Sequence, residues 1–205
     1  MQMNRFITTI CLTTACVVAA AAQTPPAGGG QRPGGAARGP ATPPLIMTST
    51  AWQDGGVIPD KYTQAAGPAA VSPALQWSQV PPGTQSFVLL MHDPEPVLNK
   101  GSKMDITHWL IWNIPGTSTG LPEGVAQGEL PDGSRQVSLR ANAYMGPGAP
   151  AGPYHHYTFE LYALDTKLDV PTGTPQQAAD TRTAIMNAMD GHVLGKAILV
   201  ARFHR

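Results

Sequence analysis

The chain has 205 residues, with 13 basic and 13 acidic side chains and a formal net charge of zero. That balance gives no electrostatic reason to expect nucleic acid or an anionic membrane as a partner. Only 13% of residues are charged, while 22 Gly and 21 Pro are more than one compact domain normally carries, so the length reads as one domain plus a tail.

Residues 1–22 have the form of a secretory signal. Arg5 supplies the positive start, Phe6–Ala22 is the apolar stretch, and Ala20-Ala21-Ala22 offers a small-residue cleavage site. A retained membrane helix is the rival, but the stretch is short, rich in Thr and Ala, and followed by Pro/Gly sequence. The expectation is an exported protein, periplasmic or secreted, and not an integral membrane protein. Cys11 and Cys16, the chain's two cysteines, both lie in this segment, so its removal leaves no disulfide and no thiol chemistry. Thr13-Thr14-Ala15-Cys16 is a poor lipoprotein box because its first position is not a large aliphatic residue. Residues 23–44 are Pro/Gly-rich with almost no apolar anchor and read as a flexible linker that buries too little to offset its ordering entropy.

From Leu45 to the C-terminus the composition is globular. Leu45–Thr50 reads as an edge-like strand, followed by the turn Asp54-Gly55-Gly56 and a short Val57-Ile58-Pro59 piece. Pro73–Trp77 is extended, and Val80-Pro81-Pro82-Gly83 turns the chain into Phe87–Met91, apolar throughout and so a strand covered on both faces. Asp93-Pro94-Glu95-Pro96 stops that strand, because each Pro removes a ladder donor. His108–Ile114 is the next strand and Tyr157–Leu164 another. Thr174–Met189 is the helix candidate, with Pro175 at its first position and Gly191 as its stop. Ala197–Phe203 closes the chain as a strand. Many short strands, Gly/Pro turns and one late helix predict a mainly β, sandwich-like fold.

Alternation of side chains then places the chemistry. Asp93 ends one strand and His108 opens the next, so antiparallel pairing brings a carboxylate and an imidazole to one sheet edge. Strict alternation groups His108 with Leu110, Trp112 and Ile114. In the later strand it groups His155 with Tyr157, Phe159 and Leu161 on the inner face, and turns His156 outward. The loop from Gly146 to Pro153 leads into that strand, and its glycines are expected to bring backbone N–H groups close to a ligand. Adjacent residues of a strand point apart, so His155-His156 is not a chelating pair, and neither a metal nor a cofactor is expected.

With these stretches in view, the chain from about Leu45 onward resembles the phosphatidylethanolamine-binding protein family, also called Raf kinase inhibitor proteins, in its bacterial branch. The resemblance rests on Asp54-Gly55-Gly56-Val57-Ile58-Pro59, Asp93-Pro94-Glu95-Pro96, His108-Trp109 with Asn113-Ile114-Pro115, and the Gly-Pro loop ending in His155-His156-Tyr157. It implies a large antiparallel sheet packed on a smaller one, one or two short C-terminal helices, and an anion pocket at one end. The family's pocket residues fall on Asp93, His108, Gly148, Pro150, His155 and Tyr157. Two motif departures stand out: the family's Asp-Pro-Asp-Ala-Pro is shortened here, with Glu95 for the second Asp, and its His-Arg-Tyr has His156 for Arg; the loop Val97–Ile106 is also longer and more polar than the resemblance leads one to expect.

The function expected on these grounds is a small-ligand binding protein for phosphate or a phosphorylated amine head group, with two cationic imidazoles supplying much of the binding. A protein-interaction module acting through the pocket rim, a second copy of the chain as partner, and a weak hydrolase stay open as alternatives. No Ser or Cys sits in an elbow-like motif, so no catalytic residue is assigned. Removing residues 1–44 is expected to leave a folded domain, and a large drop in its thermal midpoint would show that the tail packs.

Overall fold

A computed structural model describes residues 43–102 and 105–205. The signal segment and all but the last two residues of the linker lie outside these residues. The first strands are β1 (Ile46–Thr48), β2 (Gly56–Val57) and β3 (Leu75–Ser78), followed by β4 (Ser86–Asp93), β5 (Ile106–Pro115) and β6 (Gly120–Leu121). The chain continues through β7 (Arg135–Val137), β8 (His155–Leu164), α1 (Ala178–Ala188) and β9 (Val193–Phe203). Three strands form a small sheet in the order β1-β3-β6, and six form a large one in the order β2-β9-β8-β4-β5-β7. All pairs are antiparallel except β2 with β9. The mainly β, two-sheet architecture expected from the sequence is the one found.

Residue type explains why the large sheet is central. β4 is apolar from Phe87 to Met91, all at most 1% exposed. Phe87, Leu89 and Met91 face the small sheet in one core with Trp77, Phe159 and Leu161. Val88 and Leu90 face the other way, into a second core with Ile185 and Met189 of the α1 region. Burying both faces offsets the cost of ordering β4 at about 25 cal/mol per Å² of apolar surface. A short turn of 3-10 helix, Pro175–Gln177, leads into α1, and Gly191 follows at φ +78, a left-handed position suited to glycine.

β5 departs from strict alternation at both ends. Leu110 and Trp112 face α1, but Trp109, Ile111 and Ile114 all face the small sheet. The β4–β5 register slips between Phe87 and Leu89 and again between Met91 and His92. At the first slip Asn113 takes φ +59 and returns Ile114 to the inter-sheet core. Its amide Nδ2 donates to the Leu168 carbonyl at 2.9 Å, and its Oδ1 accepts from Leu168 N–H at 2.8 Å. At the second slip Met91 pairs with Trp109 while His92 pairs with Thr107. His108 is the extra residue, and a bulge of this kind turns its ring to the small-sheet side.

Asn113→Ala is expected to lower the unfolding free energy by about 2–3 kcal/mol, since it loses two hydrogen bonds and strains a left-handed position. Asn113→Gly, which tolerates the backbone angle but makes neither bond, should lose about 1 kcal/mol less. Urea denaturation of the three proteins checks this; equal losses for Ala and Gly would assign the whole effect to the side-chain bonds.

Candidate functional site

A cavity of about 380 Å³ opens where β4 ends, β5 begins and β8 begins. Its lining includes Asp93, His108, Gly148, Pro150, His155 and Tyr157, so the fold brings together all six residues picked out in the sequence. A larger and shallower groove of about 740 Å³ runs beside α1, but it has no histidine in its lining.

Asp93 is the last residue of β4 and is 3% exposed. Its Oδ2 accepts from His155 Nδ1 at 2.8 Å, and its Oδ1 accepts from the Glu95 N–H at 3.0 Å. Burial raises the Asp93 pKa above the ordinary carboxylate value, and the hydrogen bond from His155 offsets this only in part. His92, one residue earlier, points to the opposite face. Its Nδ1 meets Asp105 Oδ2 at 2.5 Å, and Arg182 of α1 clasps the same carboxylate.

His108 differs from the cationic ring expected. It is 3% exposed, and burial pulls its pKa down to about 4, against the Met145 and Gly146 carbonyls that favour protonation. The ring is therefore neutral at pH 7. Its Nδ1 donates to the Met145 carbonyl at 2.9 Å, which leaves the lone pair on Nε2 as an acceptor. The Tyr157 ring packs edge-on against it, 5.0 Å between centroids.

The Gly-Pro loop is also arranged differently from the expectation that its N–H groups face a ligand. Gly148 N–H and Ala149 N–H both donate to the Tyr157 hydroxyl, at 3.1 and 3.0 Å. Two such bonds fill the oxygen's lone pairs, so Tyr157 can offer only its O–H proton to a ligand. Burial, with the nearby Asp93 charge, pushes the Tyr157 pKa up to about 12, so the proton stays on. The glycines instead give room for close docking. A Cβ on Gly146 would stand 2.6 Å from the Tyr62 carbonyl, and one on Gly148 would stand 2.4 Å from Nε2 of Gln64.

Glu95 and His156, the two departures from the family pattern, meet each other. His156 Nδ1 lies 2.7 Å from Glu95 Oε1, and the His156 N–H donates to Oε2 at 3.0 Å. Burial opposes the Glu95 charge, but the bonds from the His156 ring and N–H, together with Asp93 and the Glu95 N–H, outweigh it and lower the carboxyl pKa. His156 is half exposed, turned outward as alternation in β8 requires. Asp93, Glu95 and His155 bring donor atoms within 4.8 Å of one another, a spacing a cation could use. Those atoms are already engaged, Asp93 with His155 and both Glu95 oxygens with His156.

Sequence reasoning missed Gln64 and Arg140, which also line the cavity. Neither lies in a strand or recognisable motif, and the turns around them gave no parity to read. Gln64 lies in the 3-10 segment Gln64–Ala69, and Arg140 follows β7 in an irregular stretch.

Comparison with known proteins follows the same lines. A family model described as phosphatidylethanolamine-binding protein matches residues 48–204. A UPF0098 protein of Methanothermobacter thermautotrophicus is 42% identical over 162 residues, covering 78% of this chain and 98% of its own. Among solved structures, a homologue of phosphatidylethanolamine-binding protein from Chlamydia trachomatis superposes with TM-score 0.64 at 28% identity, over 79% of this chain and 98% of that one. YbcL of Escherichia coli, described as a member of the mammalian family, gives 0.62 at 25% identity, over 78% and 98%.

The buried neutral His108 predicts a definite pH dependence. A group whose folded pKa lies below its unfolded value of 6.5 lets the unfolded chain bind more protons between the two. The stability it protects is complete above pH 6.5 and falls as pH drops toward 4, by on the order of 3 kcal/mol. The His108 ring should show no NMR titration between pH 5 and 8, and His108→Asn should flatten the loss of stability between pH 6.5 and 4. A His108 titration midpoint near 6.5 would refute the neutral assignment.

Proposed function

The chain belongs to the phosphatidylethanolamine-binding protein family, and from that premise we propose that its pocket holds a small anion carrying a phosphate group. The family fold is a small-ligand-binding one, and the observation that carries the finer reading is the convergence of Asp93, His108, His155 and Tyr157 on one cavity. Tyr157, with both hydroxyl lone pairs taken by Gly148 and Ala149 N–H, contributes its O–H as a donor. His108 Nε2 is an acceptor, and Asp93, which accepts from His155 and from the Glu95 N–H, keeps acceptor sites of its own. A ligand that satisfies both kinds of group carries negative oxygens and at least one proton, as a phosphate monoester monoanion does. Leu139, in the cavity lining and 51% exposed, adds apolar surface at the rim, which suits a phospholipid head group with its chains outside.

Binding rather than covalent catalysis is favoured because no Ser, Thr or Cys lines the cavity among the described residues, so the Asp93–His155 pair has no hydroxyl or thiol of those types to activate. The same apolar rim supports a second reading, a protein partner docked over the mouth. Export remains part of the proposal on the strength of the first 22 residues, and no helix among the described residues is long and apolar enough to cross a membrane.

Calorimetric titration of inorganic phosphate and phosphorylethanolamine tests the reading. Both should bind, His155→Ala should weaken them at least about tenfold, and the outward His156→Ala by no more than about threefold. Affinity should fall as pH rises through about 6, where the monoester loses its proton. Sulfate, which has no proton to donate near neutral pH, should compete poorly. No binding of either ligand at millimolar concentration would end the anion reading and favour the docked partner, and sulfate competing as well as phosphate would remove the need for a ligand proton.

A further inference from the structure

An anion in this cavity needs positive charge, and the groups expected to supply it are committed elsewhere. His108 is neutral, with Nδ1 on the Met145 carbonyl. The loop N–H groups of Gly148 and Ala149 are on Tyr157. His155 directs Nδ1 to Asp93, and Asp93 itself contributes negative charge. Among the described residues that line the cavity, Arg140 is the one with a fixed positive charge.

Arg140 also differs in what it touches from Arg182 and Arg135, two arginines that face carboxylates. Arg182 is clasped by Asp105, and Arg135 lies 4.0 Å from Glu129. No ion pair of Arg140 occurs among the described residues; its Nη1 donates to the neutral amide oxygen of Gln64, at 3.2 Å. That is the long end of the N–H···O range, and the group is exposed, so the bond is readily exchanged. Gln64 is fixed from its other end, where Nε2 donates to the Gly146 carbonyl at 2.9 Å. Only this amide orientation satisfies both neighbours, a carbonyl that needs a donor and a guanidinium that needs an acceptor. The missing side chain at Gly148 gives the amide its space.

The geometry points to Arg140 as the residue that clamps the ligand's phosphate, held at the mouth by Gln64 and released from it when ligand oxygens take over its N–H groups. A guanidinium presents a planar fork of donors that matches two phosphate oxygens, which a single ammonium cannot do. Gln64 is then a positioning residue, since it acts through Arg140. This assignment rests on the anion reading above and names the group that recognises the charge. The contact is with phosphate oxygens, so it is the same for free phosphate and for a phosphorylated amine.

The test is titration of inorganic phosphate and of phosphorylethanolamine into the wild-type protein, Arg140→Gln, Arg140→Lys and Gln64→Ala, each at low and high salt. Arg140→Gln should weaken both ligands about tenfold or more and reduce the salt dependence of binding, with an unchanged thermal midpoint because the side chain is exposed. Arg140→Lys should recover part of the loss by restoring charge without the fork. Gln64→Ala should weaken binding less than Arg140→Gln and leave the salt dependence in place. Wild-type binding that Arg140→Gln leaves within twofold, with unchanged salt dependence, overturns the role of Arg140 alone. A loss confined to one of the two ligands also overturns it, because the shared phosphate would not be what Arg140 holds. Failure of the wild-type protein to bind either ligand ends the anion reading and this assignment together.

Discussion

The bond between Asp93 Oδ2 and His155 Nδ1 joins the last residue of β4 to the first of β8, and the other groups of the pocket are placed around it. The two strands are neighbours in the large sheet, with His92 opposite Thr158 at the last paired position. Past that position the backbones separate, and this side-chain bond continues the connection. It also occupies the group that would otherwise be most costly, a carboxyl buried to 3% exposure. Left without a hydrogen-bonding partner, a charge there would cost several kcal/mol or be lost to protonation. The result is a polar floor whose internal needs are largely met, facing an opening where Arg140 supplies charge.

The two departures from the family pattern are related through the same corner. Glu95 is longer than the Asp it replaces, and His156 is shorter than the Arg it replaces. They still meet, with two contacts of 2.7 and 3.0 Å between Glu95 and the His156 ring and backbone. Because His156 turns outward, the exchange leaves the orientation of His155 unaltered.

Much of this was legible in the sequence where period-two alternation holds without interruption. β8 obeys it, so His155, Tyr157, Phe159 and Leu161 share the inner face as read. β5 does not, and little in its residues warned of it. Two inserted residues, each unable to pair in the ladder, move Ile114 and His108 across the sheet. Asn113 was the one available sign, since Asn is among the few residues that tolerate positive φ. The charge state of His108 was not legible at all, because it depends on a carbonyl 37 residues away and on the depth of burial. Arg140 was out of reach for a similar reason, its neighbour Gln64 being 76 residues distant.

The order of strands in the large sheet bears on how such a chain comes to be folded. β9, the last of the described strands in chain order, is not at an edge but between β2 and β8. Trp52 Nε1 donates to the Val200 carbonyl and Ile58 N–H to that of Arg202, across about 145 positions of sequence. Until those final residues arrive, β8 has a bare ladder on one side and the early β2 segment has nothing to pair with. Pairing over such separations closes large loops, which slows folding and keeps edges open to wrong partners meanwhile. Completion of the sheet must therefore wait for β9, and a chain lacking that strand would present the β8 edge, with His155 at its end, to whatever strand it met first.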